Sequence, residues 1–167
     1  MSLGQAHFSK LRPLLASVLA VGAAGWLAVF PARAQELGGA TLVISVLDVS
    51  PKGGTLRLGL YDRTSYPNDN SPPVASADVP AQMGQTVVTL TNIPPGTYAI
   101  ETFQDINSNN KMDTSWIGIP LEPFGFSRDA KPHLSKPGFG KVKFEVAVGM
   151  NAQTLHLQNS VSLVASE

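Results

Sequence analysis

Between Asp105 and Asp113 the chain reads Asp-Ile-Asn-Ser-Asn-Asn-Lys-Met-Asp, with a carboxylate or carboxamide at positions 105, 107, 109 and 113. Calcium is a hard cation that takes about six to eight oxygens. A loop with oxygen-bearing side chains at its first, third, fifth and ninth positions, and a backbone carbonyl at its seventh, wraps those oxygens round one point. Here the set is Asp105, Asn107, Asn109, the Lys111 carbonyl and Asp113. The sixth position is Asn110 rather than Gly, and Asn tolerates the left-handed backbone better than most residues. The twelfth is Trp116 rather than a bidentate Glu, which leaves the shell short of oxygens. Glu122 is the nearest downstream carboxylate able to return and fill the gap, with Asp129 and Glu101 behind it. So few charges imply weak calcium binding, with a Kd on the order of 10⁻⁴ to 10⁻³ M. Asp, Asn and Ser also build metal-free turns, because their side chains hydrogen-bond the local backbone.

Other chemistries have less to stand on. The chain has no cysteine, which excludes disulfides, thiolate metal sites and Cys nucleophiles. His156 alternates with Leu155 and Leu157 and is expected to face solvent, whereas His133 lies in a Pro-rich loop; neither has a neighbour in sequence that marks it as catalytic. Gly-x-Ser-x-Gly, His-Glu-x-x-His and phosphate-binding Gly loops are all missing. Asp113 and Glu122 form the one conceivable acid/base pair for a polysaccharide hydrolase, and a small sandwich offers little cleft for a sugar. Trp116, Phe124, Phe126 and Phe139 form either an aromatic contact platform beside the loop or a secondary core that closes the end of the domain.

The elements that must hold this loop are strands. Leu42, Ile44 and Val46 alternate with Thr41, Val43 and Ser45; after Ser50-Pro-Lys-Gly-Gly54, Leu56, Leu58 and Leu60 alternate with Thr55, Arg57 and Gly59. Period-two patterning of this kind marks strands with one face in a core, and the turn chemistry between them predicts a hairpin. Tyr61 to Gln85 reads as a long polar loop with a short edge segment near Val74 to Val79. Thr86 to Ile93 and Thr97 to Gln104 are two further strands, joined by Pro94-Pro95-Gly96. A last pair is expected over Lys141 to Val148 and Thr154 to Gln158. No stretch holds a helical period. The fold class is therefore all-β: an antiparallel sandwich of about seven strands, immunoglobulin-like or transthyretin-like, with a small closed barrel as the alternative.

Lys10 and Arg12 precede an apolar run from Leu14 to Phe30 and then Pro31-Ala32-Arg33-Ala34. This is the pattern of a signal peptide over residues 1–34, cleaved after Ala34. It leaves one domain, 35–167, periplasmic or secreted and with no stable membrane span after processing. The removed segment carries three of the twelve basic residues and none of the twelve acidic ones, so the formal charge of the rest is −3. With no basic surplus to track phosphates, nucleic acid is excluded as a partner.

The motif Asp105-x-Asn107-x-Asn109-x-Lys111-x-Asp113 is followed by Gly118-x-Pro120-x-Glu122-x-x-Gly125-Phe126-Ser127 and preceded by Pro95-Gly96-x-Tyr98-Ala99. In these blocks the chain resembles the bacterial exported family called domain of unknown function 2141, from about Leu42 to Leu157. Where that family usually has Gly this chain has Asn110, and where it often has Tyr this chain has Phe124. The resemblance implies a secreted single β-sandwich domain and no reaction. The expectation is an exported, non-catalytic module of the cell envelope with a weak calcium loop and an envelope protein or glycan as partner. The alternatives are a metal-free adhesive module and the hydrolase.

Overall fold

The computed structural model describes residues 38–160 with the exception of Asp69 and Leu134. The expected signal peptide, 1–34, lies outside the described residues. Among the described residues eight strands follow one another: β1 (Ala40–Val49), β2 (Thr55–Tyr61), β3 (Ala75–Pro80), β4 (Gly84–Ile93), β5 (Gly96–Asp105), β6 (Phe124–Phe126), β7 (Phe144–Val146) and β8 (Met150–His156). A 3₁₀ turn (Ser127–Asp129) and one helical turn, α1 (Phe139–Val142), lie between β6 and β7.

The strands divide into two sheets. One has the order β4-β1-β8; the other runs β3-β2-β5-β6, with β7 also on β5. All pairings between these strands are antiparallel except β1 with β8, which is parallel from Thr41↔Met150 to Leu47↔His156. The alternating residues read from the sequence meet in the middle. Leu42, Ile44 and Val46 of β1 pack with Leu56, Leu58 and Leu60 of β2, Val88 and Leu90 of β4, Ile100 of β5 and Leu155 of β8. Each fully buried aliphatic side chain contributes about 1.5–3 kcal/mol over leaving it in water, so this cluster is the main source of stability. It lies wholly within residues 40–157.

Three expectations are corrected. β1 and β2 are not a hairpin: they belong to different sheets, and their Leu faces meet across the sandwich rather than side by side. Residues 50–54 therefore cross between sheets, and the buried amide of Gln104 holds that crossing. Its Oε1 accepts from Ser50 N (2.8 Å), while Nε2 donates to the carbonyls of Ser50 (3.0 Å) and Gly53 (2.7 Å). The segment Lys141 to Val148, which has the most regular alternation in the chain, is a strand only over Phe144–Val146; its first part is α1, whose Val142 is buried elsewhere. Finally, the last two strands do not pair with each other, since β7 lies on β5 and β8 on β1. Alternation identifies a buried face and leaves the neighbour open.

A second apolar cluster of Tyr66, Ala99, Phe124, Phe126 and Val142 covers part of the outer face of the larger sheet. The Tyr66 hydroxyl donates to the Pro137 carbonyl (2.6 Å), and burial pushes its phenol pKa up. Ser127 closes the same region: its Oγ accepts from Ile100 N (2.9 Å) and donates to the Val142 carbonyl (2.5 Å). A buried hydroxyl engaged on both sides staples the loop 127–142 to β5.

Candidate functional site

The acidic loop leaves the end of β5 on the outer face of the larger sheet. Asp105, its first residue, is wholly enclosed. Its Oδ1 accepts from Asn109 N (3.0 Å), and its Oδ2 from Asn110 N (2.8 Å) and Arg57 Nε (2.8 Å). Burial on its own raises a carboxyl pKa. Here Arg57 and the two loop amides outweigh it and hold Asp105 below the ordinary carboxylate range. Asn110 takes the left-handed conformation that its place in the loop requires (φ 69°), and Ser108 does the same (φ 56°).

Further round the loop, Asp113 Oδ2 accepts from Asn107 Nδ2 (2.6 Å) and its Oδ1 from Asn109 Nδ2 (2.9 Å). Asn107 Oδ1 takes Asn109 N (3.1 Å), and Asn109 Oδ1 takes the N–H of exposed Lys111 (3.1 Å). Glu122, expected to fill the cation shell, returns to the loop and there serves as a clasp. Its Oε1 accepts from Ile106 N (2.8 Å) and its Oε2 from Asp113 N (3.1 Å), which joins the beginning and the end of the loop through one buried carboxylate. Asp129 and Glu101 lie elsewhere: Asp129 pairs with His156 Nδ1 (3.0 Å) and Glu101 with Lys136 Nζ (2.7 Å). His156, expected to face solvent, is about half exposed and is held by Asp129 through both its ring and its backbone N–H (2.7 Å).

Glu122→Ala is expected to destabilise the domain by about 2–6 kcal/mol, since it strands two partly buried N–H groups at about 1–3 kcal/mol each. Glu122→Gln, which keeps one acceptor oxygen, is expected to lose less. Urea denaturation of the two variants at neutral pH measures the difference.

The loop fits a hard cation in part. Asp113, Asn107 and Asn109 converge within hydrogen-bond distance, and Asn109 links them to Asp105. Turning the two amides to present Oδ1 there would set their Nδ2 groups against the N–H groups of Asn109 and Lys111, which the Oδ1 atoms now accept. Asp105 and Asp113 would supply the carboxylates, that of Asp105 already shared with Arg57 and the amides of Asn109 and Asn110, and Asn107, Asn109 and the Lys111 carbonyl the neutral oxygens, while both oxygens of Glu122 are held by the amides of Ile106 and Asp113. Among the described residues no three of His, Cys, Asp and Glu form a group able to hold a metal.

Arg57 is the participant that the sequence reading missed. It stands on β2, 48 residues before Asp105, and contacts Asp105, Asp78 Oδ2 (2.6 Å) and Asn110 Oδ1. Asp78 faces it directly across the β2–β3 ladder. The one signal in the sequence was an Arg on the outward side of a Leu-alternating strand. Arg57 puts a fixed positive charge beneath the loop.

Beside the loop, the outer face of the larger sheet bears an open groove of about 1040 Å³. Tyr61, Phe103, Phe124 and Phe126 lie along it, with Ile117 and Ile119 from the loop that follows Asp113. Asp113 and Glu122, the pair weighed for a hydrolase, are not among its lining residues. Of the four aromatics considered as a platform, Phe124, Phe126 and Phe139 belong to the second apolar cluster; only Trp116 stands clear of the protein.

A family model described as an uncharacterized protein conserved in bacteria (DUF2141) matches residues 44–154. No curated protein and no solved structure matches the chain.

Proposed function

The chain belongs to the bacterial family DUF2141, and from that starting point we propose that it is an exported, non-catalytic β-sandwich module of the cell envelope. It contacts an envelope protein or glycan through the groove, and its Asp105–Asp113 loop binds calcium weakly. The observation that carries this reading is the clasp. Glu122 ties Ile106 to Asp113, so the two ends of the loop are joined, and the segment after it forms a wall of the groove. A cation held by Asp105, Asn107, Asn109, Lys111 and Asp113 would stiffen the wall further.

The test is the melting temperature of the domain in calcium, in magnesium and in EDTA. A ligand bound only by the folded state adds RT ln(1 + [L]/Kd), about 2.7 kcal/mol at a hundredfold excess over Kd. For a domain of this size that raises the midpoint by several degrees. A rise specific to calcium that disappears in Asp105→Ala and Asp113→Ala supports the metal site; three coincident curves remove it. The second outcome favours a metal-free module, for which Arg57 is the specific observation: its guanidinium already neutralises Asp105 and bridges to Asn110.

A further inference from the structure

A strand at the edge of a sheet is a template for another chain, and short strands, charges and prolines are the usual devices against such pairing. Most edges of this fold carry one. β6 and β7 have three residues each, and Phe124 of β6 is already bridged to Gln158. β3 bears the exposed carboxylate of Asp78 and ends in Pro80, which has no N–H to offer. At the edge of β8 the backbone N–H of His156 is taken by Asp129 Oδ1 (2.7 Å). β4 lacks all of these devices: its ten residues, Gly-Gln-Thr-Val-Val-Thr-Leu-Thr-Asn-Ile, include neither a charge nor a proline.

The free groups on that edge follow from the ladder on its other side. Thr41 N donates to the Gly149 carbonyl (2.8 Å) and Leu157 N to the Leu47 carbonyl (2.9 Å), so the odd-numbered residues of β1 turn N–H and C=O toward β8 and the even-numbered ones toward β4. Leu42, Ile44 and Val46 therefore bond to Leu90, Val88 and Thr86. Gln85, Val87 and Thr89 are left with N–H and C=O directed away from the sheet, and all three are exposed. Among the described residues no strand lies along them. Register shifts at both ends of the ladder, one of them next to Asn92 (φ 58°), confine the regular row to these three.

We infer that β4 pairs antiparallel with β4 of a second copy of this chain, about a two-fold axis through Val87. The row selects this occupant because it is its own complement. Turned end for end, it sets Val87 opposite Val87 of the second copy and Gln85 opposite Thr89 in both directions, each pair exchanging both of its N–H···O bonds. Val87 is the one large apolar side chain of β4 that stands exposed (53 %), and the axis places it against its own copy as a cross-strand apolar contact. No like charges meet, since β4 has none. The assembly also closes. A joined sheet would end at β8 on either side, where Asp129 sets a carboxylate beside the edge, so the product is a dimer and not a fibre. The edge belongs to the smaller sheet, and no residue of β4 lines the groove on the larger one, so the inference depends on neither the groove's partner nor calcium.

The experiment uses residues 35–167, which contain both sheets and both apolar clusters. So small an interface binds weakly, and sedimentation equilibrium is expected to show a monomer at low concentration passing to a dimer toward about 1 mM. Over the same range, hydrogen exchange followed by NMR is expected to slow at the amides of Gln85, Val87 and Thr89 and to stay unchanged on the edge of β3. Val87→Lys and Val87→Glu each set like charges against each other across the axis and are expected to weaken dimerisation by about tenfold at low salt. An equimolar mixture of the two, with opposite charges facing, is expected to recover it, because only a two-fold register at Val87 places that residue opposite itself. Residue 87 is exposed, so an unchanged urea midpoint confirms intact folding, and exchange in the unsubstituted protein tests the inference without any variant. A chain that stays monomeric at about 1 mM overturns it and leaves the edge to a strand from another protein. So does a dimer indifferent to both variants, or a loss of association that the mixture does not restore.

Discussion

Gly54→Ala is expected to unfold the domain or to cost it most of its stability. Gly54 precedes β2 with φ 87°, in the left-handed region that L side chains avoid, and a β-carbon there would collide with the Asp105 carbonyl oxygen and approach Ile106 Cα to 2.7 Å. The obstruction is backbone, so no side-chain rotation relieves it. Avoiding it means separating the start of β2 from the end of β5 where Thr55 pairs with Asp105, and Gly54 also accepts the Ala81 N–H (3.0 Å) at the end of β3. One methyl group thus works against both sheet neighbours of β2 and the root of the acidic loop together. Strain and lost pairing of this kind sum to more than about 3 kcal/mol, a large share of the 5–15 kcal/mol typical of a domain. Gly53→Ala is the control. It also has positive φ (72°), but no atom lies within 4 Å of its added carbon, so it is expected to cost about 1 kcal/mol from backbone conformation alone. Equal losses in the two variants, by urea denaturation, would show that close approach at Gly54 is unimportant.

The second large effect belongs to Arg57. Arg57→Met keeps much of the aliphatic stem and removes the guanidinium, leaving enclosed Asp105 with only the amides of Asn109 and Asn110. Removing one partner of a buried pair costs about 3–5 kcal/mol, and the lower end applies here because Arg57 is partly exposed. The penalty has a defined dependence on pH. In the native protein Asp105 titrates below its ordinary value, so its contribution is complete above the unfolded carboxyl pKa of about 3.9 and is lost as pH falls through the lower folded value. In the variant, burial is no longer opposed by Arg57, the carboxyl pKa rises, and acid relieves the unpaired charge. The stability gap between the two proteins is therefore expected to be widest at neutral pH and to narrow below about pH 5. Adding Asp105→Asn to Arg57→Met is expected to recover part of the loss at neutral pH. A gap independent of pH, with no recovery, would mean that Arg57 acts through packing of its stem.

What was legible in the sequence was local. Period-two alternation at Leu42, Ile44 and Val46 and at Leu56, Leu58 and Leu60 identified strands and their buried faces, because neighbouring side chains on a strand point opposite ways. The spacing of Asp105, Asn107, Asn109 and Asp113 identified a tight polar loop, and the conformational tolerance of Asn placed the left-handed turn at Asn110. Val74 to Val79 was marked as an edge segment, and β3 is the edge of its sheet.

The pairing of strands was decided only by the tertiary structure. Alternation says that Leu42 and Leu56 are buried, and the same pattern serves a hairpin or two facing sheets, so β1 and β2 were joined in the sequence reading and are apart in the fold. Lys141 to Val148 failed for a related reason: Val142 is needed in the second apolar cluster, and a helical turn delivers it there, although its spacing suits a strand equally well. Arg57 and Glu122 show the same division. One comes from 48 residues before Asp105, and the other meets Ile106 from 16 residues beyond it. Their roles depend on which backbone amides and charges the folded chain brings within 3 Å. Local spacing carries no record of that distance, which sets the brace under the loop.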